Sequence, residues 1–230
     1  MQAVQKAPLD PSNPLRFTVI RVPFFLEPDY PRDENWHETN RTRLERKWGG
    51  KREFAEQKTR HRLKERGMDV GIKHFNLDRL ASSTMQSHRL VQWVTKNYGC
   101  TVSEILYNDL NKRHFELGQK LNDRKMLVEA ASAAGVDAQK AEAFLASGEG
   151  EMEIEGALHI LRRMGIHSIP NFIVGAQHIL SGAVHSSELV NLFREIEKTG
   201  KGAPESAFSD VLGIPDTVVE QPLVYNQATA

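Results

Sequence analysis

The sequence predicts an α/β fold. Three observations carry it: a β-branched run, RFTVIRV, near the start at residues 16–22; a long helical block after it; and two late β-type runs, residues 171–174 and 178–180. Strands at both ends of a helical block are the element order of an α/β or α+β domain.

Residues 1–6 favour helix and stop at Ala7 and Pro8. So short a helix does not stand alone in water, and it reads as the tail of a longer one. Residues 10–14 are a turn-rich link. In residues 16–22, Phe17, Val19 and Arg21 alternate with Thr18, Ile20 and Val22, which predicts the first strand. PFFLEPDYP, residues 23–31, is a proline-studded loop. Residues 35–67 are charged and broken at Gly49 and Gly50, predicting helices over 37–48 and 51–66 with solvated faces.

Ser87, Leu90, Val91, Val94 and Tyr98 share one helical stripe, closed by Gly99. TVSE at 101–104 is a capping box for the next helix. Leu127, Ala130, Ala131 and Ala134 repeat the stripe before Gly135. Ala141, Phe144 and Leu145 mark a short helix. Ile154, Ala157, Leu158, Leu161 and Met164 form another, ended by Gly165. Gly175, Ala176 and Gln177 then join the two late strands as a hairpin. Leu189, Leu192, Phe193 and Ile196 return to the helical stripe and end at Gly200. Residues 201–230 hold no sustained period and are expected to be a loosely packed tail, leaving residues 1–200 as the domain.

Composition narrows the function. The chain has 230 residues, 30 Lys+Arg against 30 Asp+Glu, nine His and one Cys. That length supports one elaborated domain with a real core. Zero net charge argues against a nucleic-acid partner. One cysteine excludes an internal disulfide, a Cys-rich zinc site and a CxxC pair within these residues. No apolar run approaches the ~20 residues of a membrane helix. The first ten residues hold no secretory h-region, so a cytoplasmic location is expected. His159, His167, His178 and His185 match no zinc spacing, and no metal is expected. No P-loop, GxGxxG or GxSxG is present, and the oligomeric state is not legible.

The most informative stretch is GIHSIPNFIV at 165–174, followed by residues 177–180, then SGA at 181–183 and a helix with Glu188. It resembles the C-terminal half of the DsbA-like thioredoxin fold, in the branch of FrnE and 2-hydroxychromene-2-carboxylate isomerase. Three stretches agree in order: VPFFLEP at 22–28; TMQSHRL at 84–90, with Ser87 where the family has Ala; and residues 127–135 followed by FLAS at 144–147. The resemblance runs from about residue 16 to about residue 198. It implies a thioredoxin-like fold interrupted by a helical insertion over about 34–164, with a function in thiol–disulfide oxidoreduction.

The family opens with a strand and a helix bearing CxxC, or a serine variant. Those residues are missing here, and the expectation is an N-terminal truncation in which residues 1–6 are that helix's last turn. Without that strand, residues 16–22 are expected to lack a neighbour, and unpaired buried backbone groups cost about 1–3 kcal/mol each.

The resemblance implies that the Ile169–Pro170 bond is cis and that this loop holds an extended peptide or glutathione as an added strand. The competing reading is an ordinary proline starting a strand. Ser181 and Gly182 match a loop that holds the glutathione carboxylate at a helix N-terminus. A tight turn needing glycine is the simpler account, and Val184 stands where the family often has Gln. His88, beside Arg89, matches a residue near the family's cleft, against the alternative of a satisfied surface histidine. Cys100 reads as a small packed residue rather than a nucleophile. No catalytic residue is therefore assigned, and no bound cofactor is expected, with glutathione a co-substrate at most. The partners implied are a thiol or disulfide substrate, an extended peptide or glutathione. The alternatives to an oxidoreductase are a glutathione-dependent isomerase or transferase on the same scaffold, and a redox-inactive peptide-binding module.

Overall fold

The computed structural model describes residues 1–175, 177–202 and 208–224. Ala176 of the expected hairpin turn, and residues 203–207 and 225–230 of the expected tail, lie outside the described residues. The elements in chain order are α1 (Gln2–Lys6), β1 (Glu38–Thr39), α2 (Asn40–Trp48), α3 (Lys51–His61), α4 (Leu63–Asp69), β2 (Leu80–Ala81) and α5 (Met85–Phe115). They continue with α6 (Arg124–Ala133), α7 (Ala138–Ala146), α8 (Glu151–Arg163), β3 (Asn171–Val174), β4 (His178–Ser181), α9 (Ser186–Thr199) and α10 (Asp216–Val219). They fall into two units. The first holds Met1–Leu26, Val91–Glu104 and Gly150–Ala230; the second holds Glu27–Leu90 and Ile105–Glu149.

In the first unit, Val4, Phe17 and Phe193 form a core cluster, joined by Leu15, Val174, Leu189 and Val190. The Phe17 and Phe193 rings meet edge to face at 4.9 Å. Helix α1 survives its five residues because it docks on α9. Arg194 donates to the Ala7 carbonyl (2.6 Å) and the Leu9 N–H donates to Glu197 (2.8 Å). The hairpin β3–β4 is antiparallel, with Phe172 opposite Leu180 and Ile173 opposite Ile179.

Two expectations need correction in this unit. Residues 16–22 form no ladder with any described strand. Three of their backbone groups find other partners: Phe17 O accepts from Leu223 N–H (2.7 Å), Arg21 O accepts from the Gln92 side chain, and Val19 N–H donates to the Cys100 sulfur. Nor are the described residues of the tail loose. Phe208, Leu212, Ile214, Val218 and Leu223 are buried, and the Val219 carbonyl accepts from the Thr18 hydroxyl (2.8 Å). An irregular segment with apolar residues at uneven spacing packs without showing a period.

In the second unit, β1 pairs antiparallel with β2, Glu38 opposite Ala81. Helix α2 is capped by the Thr39 hydroxyl, which accepts from Thr42 N–H, and ends at Gly49 (φ 92°). The single helix expected over 51–66 is two, α3 and α4. Arg62 adopts φ 46° between them, and the chain turns so that the Gly67 carbonyl takes the Ile72 N–H (2.8 Å). Helices α6 and α7 begin at Asp123 and Asp137, whose carboxylates accept from Met126 and Lys140 N–H. Arg89, only 1% exposed, donates to the Ser147 and Glu149 carbonyls (2.7 Å each) and lies 5.0 Å over the Phe144 ring. A cation at the carbonyl end of α7 suits the helix dipole. Helix α5 runs through both units and kinks at Gly99 (φ 86°, ψ 167°), where the sequence placed a helix end.

A half-buried histidine in the second unit gives this fold a pH signature. His114 Nδ1 donates to the Gln119 carbonyl (2.9 Å), and its Nε2 accepts from Arg79 (3.1 Å). Both nitrogens are committed in the neutral form, and Arg79 also stacks over Phe75 and Phe115. Burial, then the Arg79 and Arg43 charges, pull His114 down to about 4, against the opposing hydrogen bond to Gln119. Between about pH 6.5 and 4 the unfolded chain binds the proton that the folded chain refuses. Stability is therefore full above about pH 6.5 and falls as pH drops through that window, by about 3 kcal/mol at most. Urea denaturation at pH 7.5, 5.5 and 4.5 should show a steeper acid loss for the wild type than for His114→Gln. Parallel losses in the two proteins would contradict this assignment.

Candidate functional site

The site assembles where the hairpin meets the loop before it. Gly165 (φ 72°) ends α8 and releases a loop whose residues 167–170 are all exposed, Ile169 by 50%. The Ile169–Pro170 bond is cis. Across the hairpin, Ser181 pairs with Asn171, and Gly182 N–H donates to the Pro170 carbonyl (2.9 Å). The Asn171 side chain donates back to the Ser168 carbonyl. Ile169, Pro170, Ser181 and Gly182 are thus brought together, with the Pro170 carbonyl held inward.

Gly182 has φ +87°, and nothing lies within 4 Å of where a Cβ would stand. Glycine is required there by backbone conformation and not by close approach. Ser181 and Gly182 end a strand and do not begin a helix. The N-cap of α9 is His185, whose ring accepts from Ser187 N–H, while Glu188 accepts from His185 N–H (3.2 Å). This capping box occupies the helix start with the chain's own groups. The HSSE pattern at 185–188 could have revealed it, since His stands where Ser or Thr usually does.

His88 lies in the first turn of α5, half-buried, in the second unit, so it is described apart from the loop. Its neighbour Arg89 has the structural role given above. Apolar side chains stay exposed on the hairpin itself, Phe172 by 37% and Ile179 by 48%, on opposite faces. Among the described residues, no three His, Cys, Asp or Glu side chains gather as a metal site, and no helix is long and apolar enough to cross a membrane.

Cys100 is 2% exposed. Burial, then the Glu104 carboxylate, push its thiol up to about 11, against a hydrogen bond from Val19 N–H. Glu104 is itself held by Arg21 through two contacts of 2.6 and 2.7 Å. This thiol is protonated at neutral pH and is a poor nucleophile. Alkylation by iodoacetamide at pH 8 should proceed at least ~100-fold more slowly in the native chain than in denaturant, judged from thiolate fractions. Comparable rates by mass spectrometry would show an accessible thiolate instead.

Comparisons with known proteins bear on the family and the fold. A family model described as the DSBA-like thioredoxin domain matches residues 5–194. Among solved structures, the probable DsbA oxidoreductase SCO1869 of Streptomyces coelicolor superposes with a TM-score of 0.64 at 22% identity, covering 89% of this chain and 77% of that one. At that identity the likeness speaks for the fold alone. Among curated proteins no match is found. With the family match spanning most of its length, the chain belongs to the DSBA-like thioredoxin family.

Proposed function

We propose that this chain serves thiol–disulfide oxidoreduction by holding an extended peptide at the Ile169–Pro170 loop. One observation carries the reading. The loop leads straight into β3, which among the described strands pairs only with β4, so its other edge has no ladder partner. An extended backbone added there would gain main-chain hydrogen bonds, with the exposed Ile169 side chain as an apolar contact. The Gly182 N–H already occupies the Pro170 carbonyl and fixes the turn that presents this edge.

Thiol–disulfide exchange needs two sulfurs on the enzyme side. A thiolate attacks one sulfur of the substrate disulfide and expels the other as a thiolate. A second thiol then attacks the mixed disulfide, frees the reduced substrate and leaves an enzyme disulfide. These 230 residues hold one cysteine, and it is buried and protonated. They supply the substrate-binding part of that cycle and not its sulfur chemistry. The same observation favours a second reading, a redox-inactive module that binds extended peptides. Glutathione is the smaller candidate ligand for Ser181 and Gly182. The self-capped start of α9 offers its carboxylate less than an open helix terminus would.

Two measurements on the 230-residue chain test the proposal. Insulin reduction with dithiothreitol should run at the background rate. A fluorescent, unstructured peptide should bind in an anisotropy assay, and Ile169→Asp should weaken that binding at least 5-fold with the thermal midpoint unchanged. Equal affinity in the variant would remove the loop from the site. Insulin reduction above background, abolished in Cys100→Ser, would overturn the assignment of Cys100 as inert.

A further inference from the structure

The second unit contains a cleft. Its volume is about 120 Å³, and it is lined by Arg32, Glu34, Gln86, Asn122, Arg124, Leu127 and Leu145. Its walls come from the 31–36 segment, the start of α5, the start of α6 and the end of α7.

Asn122 is the residue that marks it. This side chain is 1% exposed. Its Nδ2 donates to two carbonyls, Asp33 O (2.9 Å) and Trp36 O (3.0 Å), which tie the 31–36 segment to the start of α6. Two acceptors on the nitrogen fix which end of the amide is oxygen. The Oδ1 that remains is buried and accepts from no donor among the described residues. A buried acceptor left without a donor is costly, so one beside a cleft calls for a partner there.

The other walls complete a pattern of charge. Gln86 Oε1 accepts from Arg89, which leaves its Nε2 donor without a partner among the described residues. Arg124 lies 3.9 Å from Glu34 and 3.8 Å from Glu142, both loose ion pairs, while Glu34 Oε1 accepts the Arg124 N–H (3.0 Å). Arg32 adds a second guanidinium. Leu127 and Leu145, 0% and 3% exposed, contribute an apolar wall. Cationic donors, an anionic acceptor, a neutral acceptor wanting a proton and an apolar wall thus line one small space.

We propose that this cleft binds a small zwitterion, an α-amino acid with an aliphatic side chain. Its ammonium donates to Asn122 Oδ1 and faces Glu34. Its carboxylate takes Arg124, Arg32 and Gln86 Nε2, charge-assisted contacts that guanidinium forks favour. Its side chain lies on Leu127 and Leu145. A simple anion would leave Asn122 Oδ1 unsatisfied, and a simple cation would meet two guanidinium groups.

Two-dimensional 1H–15N NMR titration of the 230-residue chain with L-leucine tests this. Saturable shifts are expected at residues 32–36, 86 and 122–127, with a millimolar or tighter Kd. N-acetyl-L-leucine, lacking the ammonium, and L-leucinamide, lacking the carboxylate, should each bind at least 10-fold more weakly. Arg124→Gln, at a half-exposed position, should weaken leucine binding at least 5-fold while leaving the spectrum of the rest of the fold in place. The proposal fails if leucine gives no saturable shift at these residues up to 20-fold above a ~1 mM Kd, which would leave water as the occupant. It fails equally if all three ligands bind alike. Neither result touches the peptide-binding reading, whose residues lie in the other unit.

Discussion

The first unit depends on how one extended segment satisfies its backbone. Residues 16–22 carry β-type side chains but pair with no described strand. Buried amides and carbonyls are seldom left open. Three of this segment's backbone groups are met from unlike sources: the Leu223 amide on Phe17, the Gln92 side chain on Arg21 and the Cys100 sulfur on Val19. Each partner is held in turn. Leu223 lies in a tail segment pinned by buried Phe208, Leu212 and Val218, and Cys100 follows the Gly99 kink of α5. The order of the tail, the seat of the only thiol and the course of residues 16–22 are one arrangement.

The second unit solves a different problem, the disposal of buried cations. Arg89 is met by main-chain oxygens beyond α7 and by the Phe144 face. Arg79 is spread over two aromatic rings and donates to a neutral His114. Its guanidinium is pulled down to about 10, chiefly by burial. Delocalised charge tolerates such surroundings better than an ammonium would, which is why arginine and not lysine occupies both places.

Helices with a periodic apolar stripe were legible from sequence: α6, α7, α8 and α9 all stand where Leu127, Phe144, Ile154 and Phe193 placed them. So was the β3–β4 hairpin, bounded by Pro170 and Gly182. Three features were not. The α3–α4 break falls at Arg62, a residue with no turn propensity that adopts φ 46° there. The tail packs through apolar residues at irregular spacing, which no period detects. For residues 16–22 the missing neighbour was expected, but not the partners that replace it, Leu223, Gln92 and Cys100, which lie far off in the sequence. At the site, Ile169, Pro170, Ser181 and Gly182 were found together, whereas the cap of α9 was missed because histidine is an uncommon N-cap.

Cys100 shows how position in a helix and position in the fold pull against each other. It follows the Gly99 kink and opens the second half of α5, where the dipole favours a thiolate. That effect is worth about 0.3–1 kcal/mol at a surface and ~2 in favourable buried geometry. Burial instead pushes the thiol up to about 11. A rise of that size favours the thiol by about 3 kcal/mol. Burial and the adjacent Glu104 therefore outweigh both the dipole and the Val19 amide. Arg21 blunts Glu104 without reversing it, since its guanidinium is spent on that carboxylate. To become a nucleophile this sulfur would have to lose its burial, and with it the hydrogen bond from Val19. The thiol that would make the chain reactive is also a partner to the backbone of its extended segment.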